Sequence, residues 1–223
     1  MCLLDLGAAP GGWSLYASTQ LDPTLNGAVV AVDLLPLDES LHSKNSDICS
    51  RIEGNLHDNF EFIQGDFTER QVHAQIMDAF SRVGNNKSNT VHHDIANTSG
   101  ESFSGNQTGK ADLVLSDMAP NFTGDSATDA LRTLHLCELA LSFAVGHGCF
   151  DSSYSKPSSC EDGGGILTNG GAFLCKYFSC GQENEKDLMD ATKRAFRSTH
   201  VIKPKASRKE SSELYLLGLG YGI

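Results

Sequence analysis

The run Cys2-Leu3-Leu4-Asp5-Leu6 is short and apolar, and Gly7 stops it at once. Behind it, Ala8-Ala9-Pro10-Gly11-Gly12 leads straight into a helical pattern over residues 12–20. A strand that empties through small residues into a helix must bury both elements against each other, which restricts the chain to layered α/β arrangements. The same grammar recurs along the sequence. Ala28 to Asp33 (AVVAVD) and Phe60 to Ile63 are the second and third apolar runs, and Ala111 to Asp117 (ADLVLSD) and Gly171 to Lys176 (GAFLCK) the fourth and fifth. His200 to Lys203 and Leu214 to Leu219 close the series. Helical patterns fall between them at about 12–20, 69–82, 126–146 and 184–197. Strands alternating with helices predict a doubly wound α/β fold with a mostly parallel sheet of seven strands, helices on both faces and the last two strands paired antiparallel at one edge.

At 223 residues the chain is the size of one domain and long enough to bury a core. No window approaches the roughly 18–20 apolar residues of a membrane span. The seven cysteines form no Cys-x-x-Cys pair, which argues against a disulfide framework or structural zinc and for a reducing compartment. His92, His93 and His147 lack partners at metal spacing, so no metal is expected. Stretches at about 36–58, 84–109 and 146–165 are rich in Ser, Asn, Gly and Asp and read as polar insertions between core elements. The net charge of −11 argues against a polyanionic partner, yet the charge is uneven. From Lys176 to Glu213 nine Lys and Arg face six acids, a local +3 against −14 for the rest. Such an end can meet RNA or be a solvated helix face.

Ligands of a doubly wound sheet sit beyond the carboxyl ends of its strands, where the strand order reverses. Gly7 and Gly11 belong to the turn after the first run, where small residues let a ligand approach the backbone, and Trp13 falls at the same end. Asp33 ends the second run and is placed to accept both hydroxyls of a ribose, while Asp66, after the third, could take an adenine amino group. The dinucleotide pattern G-x-G-x-x-G is missing, since Pro10 and Trp13 interrupt it. Asp117 and Lys176 end the fourth and fifth runs, and Glu213 directly precedes the last. Three such charges on one rim make either a structural ion-pair network or a catalytic site.

Taken together, DLGAAPGGWS, AVDLLPL, QGDF, SDMAPN and SRKESSE resemble the FtsJ (RrmJ) family of S-adenosylmethionine-dependent ribosomal RNA 2′-O-ribose methyltransferases, over nearly the whole chain apart from the insertions. FLCK with KPKASRKESSE is most similar to the mitochondrial branch. The resemblance implies a Rossmann-like methyltransferase domain over 1–223 that methylates a ribose, a uridine by the family pattern, in large-subunit rRNA. The alternatives are a cofactor-binding homologue without turnover, and an enzyme of tRNA or of the mRNA cap. It further implies S-adenosylmethionine as cofactor, with Gly7, Gly11, Trp13, Asp33, Asp66 and Asp117 around it. Lys176, Asp117 and Glu213 become the catalytic group, and the rRNA or pre-ribosomal large subunit the partner of a mitochondrial monomer. The family also carries a lysine on a helix upstream of the first strand; nothing precedes Met1 in this sequence, so that helix is expected to be missing.

Overall fold

The computed structural model describes residues 1–21, 27–38, 59–85, 109–152, 164–205, 207–208 and 211–222. Most of the three polar stretches, and His92 and His93 with them, lie outside the described residues. The elements run β1 (Cys2–Leu6), α1 (Gly12–Gln20), β2 (Ala28–Asp33), β3 (Phe60–Gln64), α2 (Arg70–Asn85), β4 (Ala111–Ser116), α3 (Ser126–Val145), β5 (Leu167–Phe178), α4 (Gln182–Ala195), β6 (Phe196–Ile202) and β7 (Glu213–Tyr221). They build a seven-stranded sheet in the order β3-β2-β1-β4-β5-β7-β6. The first five strands are parallel, and β7 inserts antiparallel between β5 and β6. From β1 the chain first builds outward through β2 and β3, then returns to place β4 on the other side. The reversal therefore lies between β1 and β4.

Alternate residues of the central strands enter different cores, which is why these strands read as unbroken apolar runs. Leu4, Leu6, Val30, Val32, Val114 and Phe173 pack with Ile76 and Phe80 of α2, Leu141 of α3 and Leu188 of α4. Leu3, Val29 and Leu115 turn the other way, onto Ala17 of α1. Helices thus cover both faces, as the patterning predicts. On α3 the buried positions Ala130, Leu134, Cys137, Leu141 and Ala144 recur at three- and four-residue spacing, and Asp125 caps the helix by accepting the Thr128 N–H at 3.0 Å.

The largest departures from the sequence pattern are at the end of α4, at the start of β5, and at β6, which begins at Phe196 rather than His200. The pattern runs the fourth helix to 197, but α4 stops at Ala195 because Phe196 is buried on the sheet, stacked 6.3 Å from Phe173 and 5.8 Å from Tyr221. β5 begins at Leu167 rather than Gly171, with the register slipping against β4 between Ala111 and Leu113, an irregularity that the Gly170-Gly171 pair accommodates. Among the described residues no helix is long and apolar enough to cross a membrane, and no group of His, Cys, Asp and Glu has the makings of a metal site.

Candidate active site

The site begins where β1 ends. The N–H groups of Gly7 and Ala8 both donate to the Val32 carbonyl, at 2.9 and 3.2 Å, which ties the turn to the tip of β2. Gly7 has φ +77, and a Cβ there would stand 2.2 Å from Met118 Cγ and 3.1 Å from Met118 Cα. Glycine is what lets the turns after β1 and β4 close on each other at the reversal point. Gly7→Ala is expected to lower stability by about 2–5 kcal/mol, combining the left-handed backbone with the displacement of Met118. A shift of the urea midpoint at constant slope would register it; an unchanged midpoint would contradict the reading. Gly11, at φ +118, starts α1, and a Cβ on Gly12 would meet nothing within 4 Å. The backbone at the head of α1 is therefore open to a ligand, with the exposed side of Trp13 beside it.

Asp33 stands at the tip of β2. Its Oδ2 accepts the Ala9 N–H and its Oδ1 the Leu35 N–H, both at 2.8 Å. Each carboxylate oxygen has a further lone pair, so the group is fixed in direction and still able to accept hydroxyls. Asp66 is committed differently. The contacts described for its side chain fall on Oδ1, which takes the Thr68 N–H at 2.9 Å and the Thr68 hydroxyl at 2.7 Å, organising the turn into α2. Its position after β3 is the one expected from sequence, and its Oδ2 is the oxygen left to face an amino group.

Asp117, just past β4, is the hub. Its Oδ2 accepts the Trp13 indole N–H at 3.1 Å, and its Oδ1 accepts the Tyr215 hydroxyl at 2.9 Å and lies 3.0 Å from the Lys176 ammonium. The same ammonium donates to the Asp117 main-chain carbonyl at 2.9 Å. Lys176 is 11% exposed, so this ion pair is shielded from bulk water on most sides. One of its hydrogens goes to the Asp117 carbonyl while the carboxylate balances its charge, which leaves donor capacity for an incoming oxygen. The Trp13 and Tyr215 rings lie 6.0 Å apart and brace the hub from the α1 side. Burial and then the Asp117 charge hold the Tyr215 phenol well above the usual tyrosine range, which keeps it a donor.

The structure thus brings Asp117, Lys176 and Trp13 together, with Glu213 close enough for its charge to act on the Tyr215 phenol but without a described contact to Lys176. Lys176 faces Tyr215 across the antiparallel β5–β7 ladder, and Glu213 faces Phe178, one same-face step further along. Among the described contacts Glu213 makes no ion pair with Lys176; its N–H takes the Ser211 hydroxyl as acceptor. In place of the acid, amine and acid expected from sequence, the structure gathers an acid, an amine and a phenol, with Glu213 one step further along the rim. Trp13, expected to touch a cofactor, spends its N–H on Asp117.

Sequence reasoning also passes over Asp5. It is fully buried, its Oδ2 accepts the Ser14 hydroxyl at 2.5 Å, and its Oδ1 has no hydrogen-bond partner. Burial first, with the charges of Asp117 and Asp33 adding to it, pushes the carboxyl up to about 6, against the Ser14 hydrogen bond that lowers it. The signal was present as an acid inside an apolar run directly before the glycine turn.

A doubly wound sheet whose reversal point gathers carboxylates and an amine around a glycine turn defines an α/β domain with a crevice where such sheets take their ligands. The sequence model of the FtsJ-like methyltransferase family matches residues 1–221, and the chain belongs to that family. It is 34% identical over 221 residues to ribosomal RNA large subunit methyltransferase E of Gluconobacter oxydans, covering 98% of this chain and 56% of that one. The same-named proteins of Rickettsia felis and Granulibacter bethesdensis are 34% and 37% identical, again over 98% of this chain, and over 69% and 65% of theirs. The chain therefore spans somewhat over half to somewhat over two thirds of the length of these relatives. Among solved structures, a chain from Plasmodium falciparum described as a ribosomal RNA methyltransferase aligns over 99% of this chain and 86% of its own, at TM-score 0.57 and 19% identity, a likeness of fold.

Proposed function

We propose that the chain methylates the 2′-hydroxyl of a ribose in large-subunit ribosomal RNA, using S-adenosylmethionine. The observation that carries this is the Lys176–Asp117 pair at the reversal point of a sheet belonging to the FtsJ-like family. The residues fit the cofactor: Asp33 is oriented to accept ribose hydroxyls, Gly12 leaves open space at the head of α1, and Asp5 has an unpartnered buried oxygen beside Asp33 and Asp117. When bound, the cofactor supplies a methyl group on a positively charged sulfur, primed to leave. Everything else falls to the protein. Asp33 and the turn from Gly7 to Gly12 hold the nucleoside, Asp66 borders the base, and Asp117 sits between this crevice and Lys176. The ribose oxygen has to stand in line at about 3–3.5 Å from the carbon it attacks, so positioning is a large part of the work. Lys176, hydrogen-bonded to the Asp117 carbonyl and ion-paired with its carboxylate, donates a remaining hydrogen to that oxygen, orienting it and stabilising its developing charge, and the hydroxyl proton passes to solvent once the new bond to carbon has formed. Tyr215 holds Asp117 in place from the other side.

Four features support RNA as substrate. They are the relatives' names, the exposed Lys203, Lys205 and Arg208 in the loop after β6, the basic balance of that end, and a 2′-hydroxyl chemistry found in RNA alone. The resemblance of the FLCK and KPKASRKESSE segments to the mitochondrial branch supports that compartment as the reading. The test is transfer of labelled methyl from S-adenosylmethionine to ribosomal RNA and to pre-ribosomal large subunits, followed by alkaline hydrolysis. Label recovered in alkali-resistant dinucleotides from large-subunit RNA is expected. Label in a base, or only in tRNA or cap structures, would overturn the substrate, and cofactor binding with no transfer would overturn the reaction.

A further inference from the structure

Phe122 is 62% exposed, yet the loop that carries it is fixed. The buried Asp129 of α3 accepts the Thr123 N–H and hydroxyl, each at 2.8 Å, and the Gly124 N–H at 3.2 Å. The segment between Asp117 and α3 is therefore clamped immediately after Phe122. The Phe122 ring meets Phe178 edge to face, centroids 5.8 Å apart at 68°. Phe178 follows Lys176 by two residues on β5, so the two side chains share a face, about 6.8 Å apart along the strand. An aromatic pair thus stands beside the catalytic lysine, built from two loop and strand ends that no contiguous motif in the sequence announces.

An exposed ring held in one place by a rigid loop is pre-organised to stack on a second flat group at little entropic cost. The surroundings indicate what carries that group. The register Ile202↔Tyr215 brings the loop after β6 to the same end of the sheet, with exposed Lys203, Lys205 and Arg208 on it, and the Ser179 N–H donates to the Ser212 carbonyl at 2.8 Å to hold the loop there. Flat groups strung on a polyanion next to a ribose-activating lysine are the bases of an unpaired RNA strand. We propose that Phe122, braced by Phe178, is the stacking platform for the base adjacent to the nucleotide whose ribose enters the Lys176–Asp117 site. The proposal deepens the 2′-O-methylation reading and rests on it.

The test uses the full chain and single-stranded 12-nucleotide RNAs carrying one 2-aminopurine, placed at successive positions. In the wild type, fluorescence should be quenched at one register, as stacking requires. Phe122→Ala should remove the quench and weaken binding roughly 5- to 100-fold, with its thermal midpoint and S-adenosylhomocysteine affinity unchanged. Phe122→Trp should restore both. If Phe122→Ala binds with the same affinity and the same quench as wild type, the platform is overturned, and the ring is left to a protein partner. The quench needs no turnover, so the two readings fail separately. A wild type that stacks the probe but transfers no methyl to a 2′-oxygen supports the platform and sinks the reaction. A wild type that transfers, alongside a Phe122→Ala variant that transfers to large-subunit rRNA equally well, sinks the platform alone.

Discussion

Lys176→Ala should lower methyl transfer by roughly 10³-fold or more while leaving S-adenosylmethionine affinity within about twofold. On the proposed reading the rate loss follows from removing the donor that meets the attacking oxygen; a positioned acid–base group typically contributes about 10²–10⁴-fold, and a charge-stabilising donor adds to that. The preserved affinity follows from the hub. Without the lysine, Asp117 keeps the Trp13 indole on one oxygen and the Tyr215 hydroxyl on the other, so no buried carboxylate is stranded and the crevice by Gly7 keeps its shape. The measurements are single-turnover transfer to large-subunit RNA and cofactor titration by calorimetry. Cofactor binding lost together with turnover would show that Lys176 holds the cofactor rather than the hydroxyl. Activity within tenfold of wild type would remove it from the chemistry altogether.

What the sequence made legible, and what it hid, divides along a physical line. β1, β2 and β4 are buried on both faces, so their apolar runs announced them, and their ends placed Asp33 and Asp117 correctly. α4 ran on too long in the pattern because the helical period of residues 184–197 does not reveal that Phe196 belongs between Phe173 and Tyr221, which is tertiary information. The partnership of Lys176 with Tyr215 was invisible for a related reason. It depends on the antiparallel register of β5 against β7, and with a side-chain period of two a same-face step exchanges Glu213 for Tyr215. Asp66 was legible as a position but not as a turn-former, since the Thr68 contacts are made two residues away, one from the backbone N–H and one from the hydroxyl. Asp5 was hidden in plain view: a strand pattern counts it as one polar residue, whereas the fold buries it whole.

That burial sets a pH dependence with a definite sign. The Asp5 carboxyl is pushed up to about 6 in the folded protein from an ordinary 3.8, so between these values the folded state holds a proton that the unfolded state has released. Stability must then fall as pH rises through that window, and the ionised group costs on the order of 3 kcal/mol above it. Asp5→Asn removes the charge and keeps an oxygen for the Ser14 hydroxyl. Its amide hydrogens need acceptors in return, which offsets part of the gain. A net stabilisation of about 1–2 kcal/mol at pH 7.5 is expected, shrinking towards zero or reversing near pH 4, with cofactor affinity weakened by about tenfold. That weakening follows from the place of the charge: Asp33 and Asp117 act on Asp5, so a cationic ligand among the three acids relieves their mutual repulsion, and the variant gives up part of that relief. Urea unfolding at pH 4, 5, 6 and 7.5, with cofactor titrations at the same values, measures both halves. A variant less stable than wild type at pH 7.5, or one that binds the cofactor undiminished, would mean that Asp5 serves as a structural acceptor for Ser14 and not as a charge held ready for the ligand.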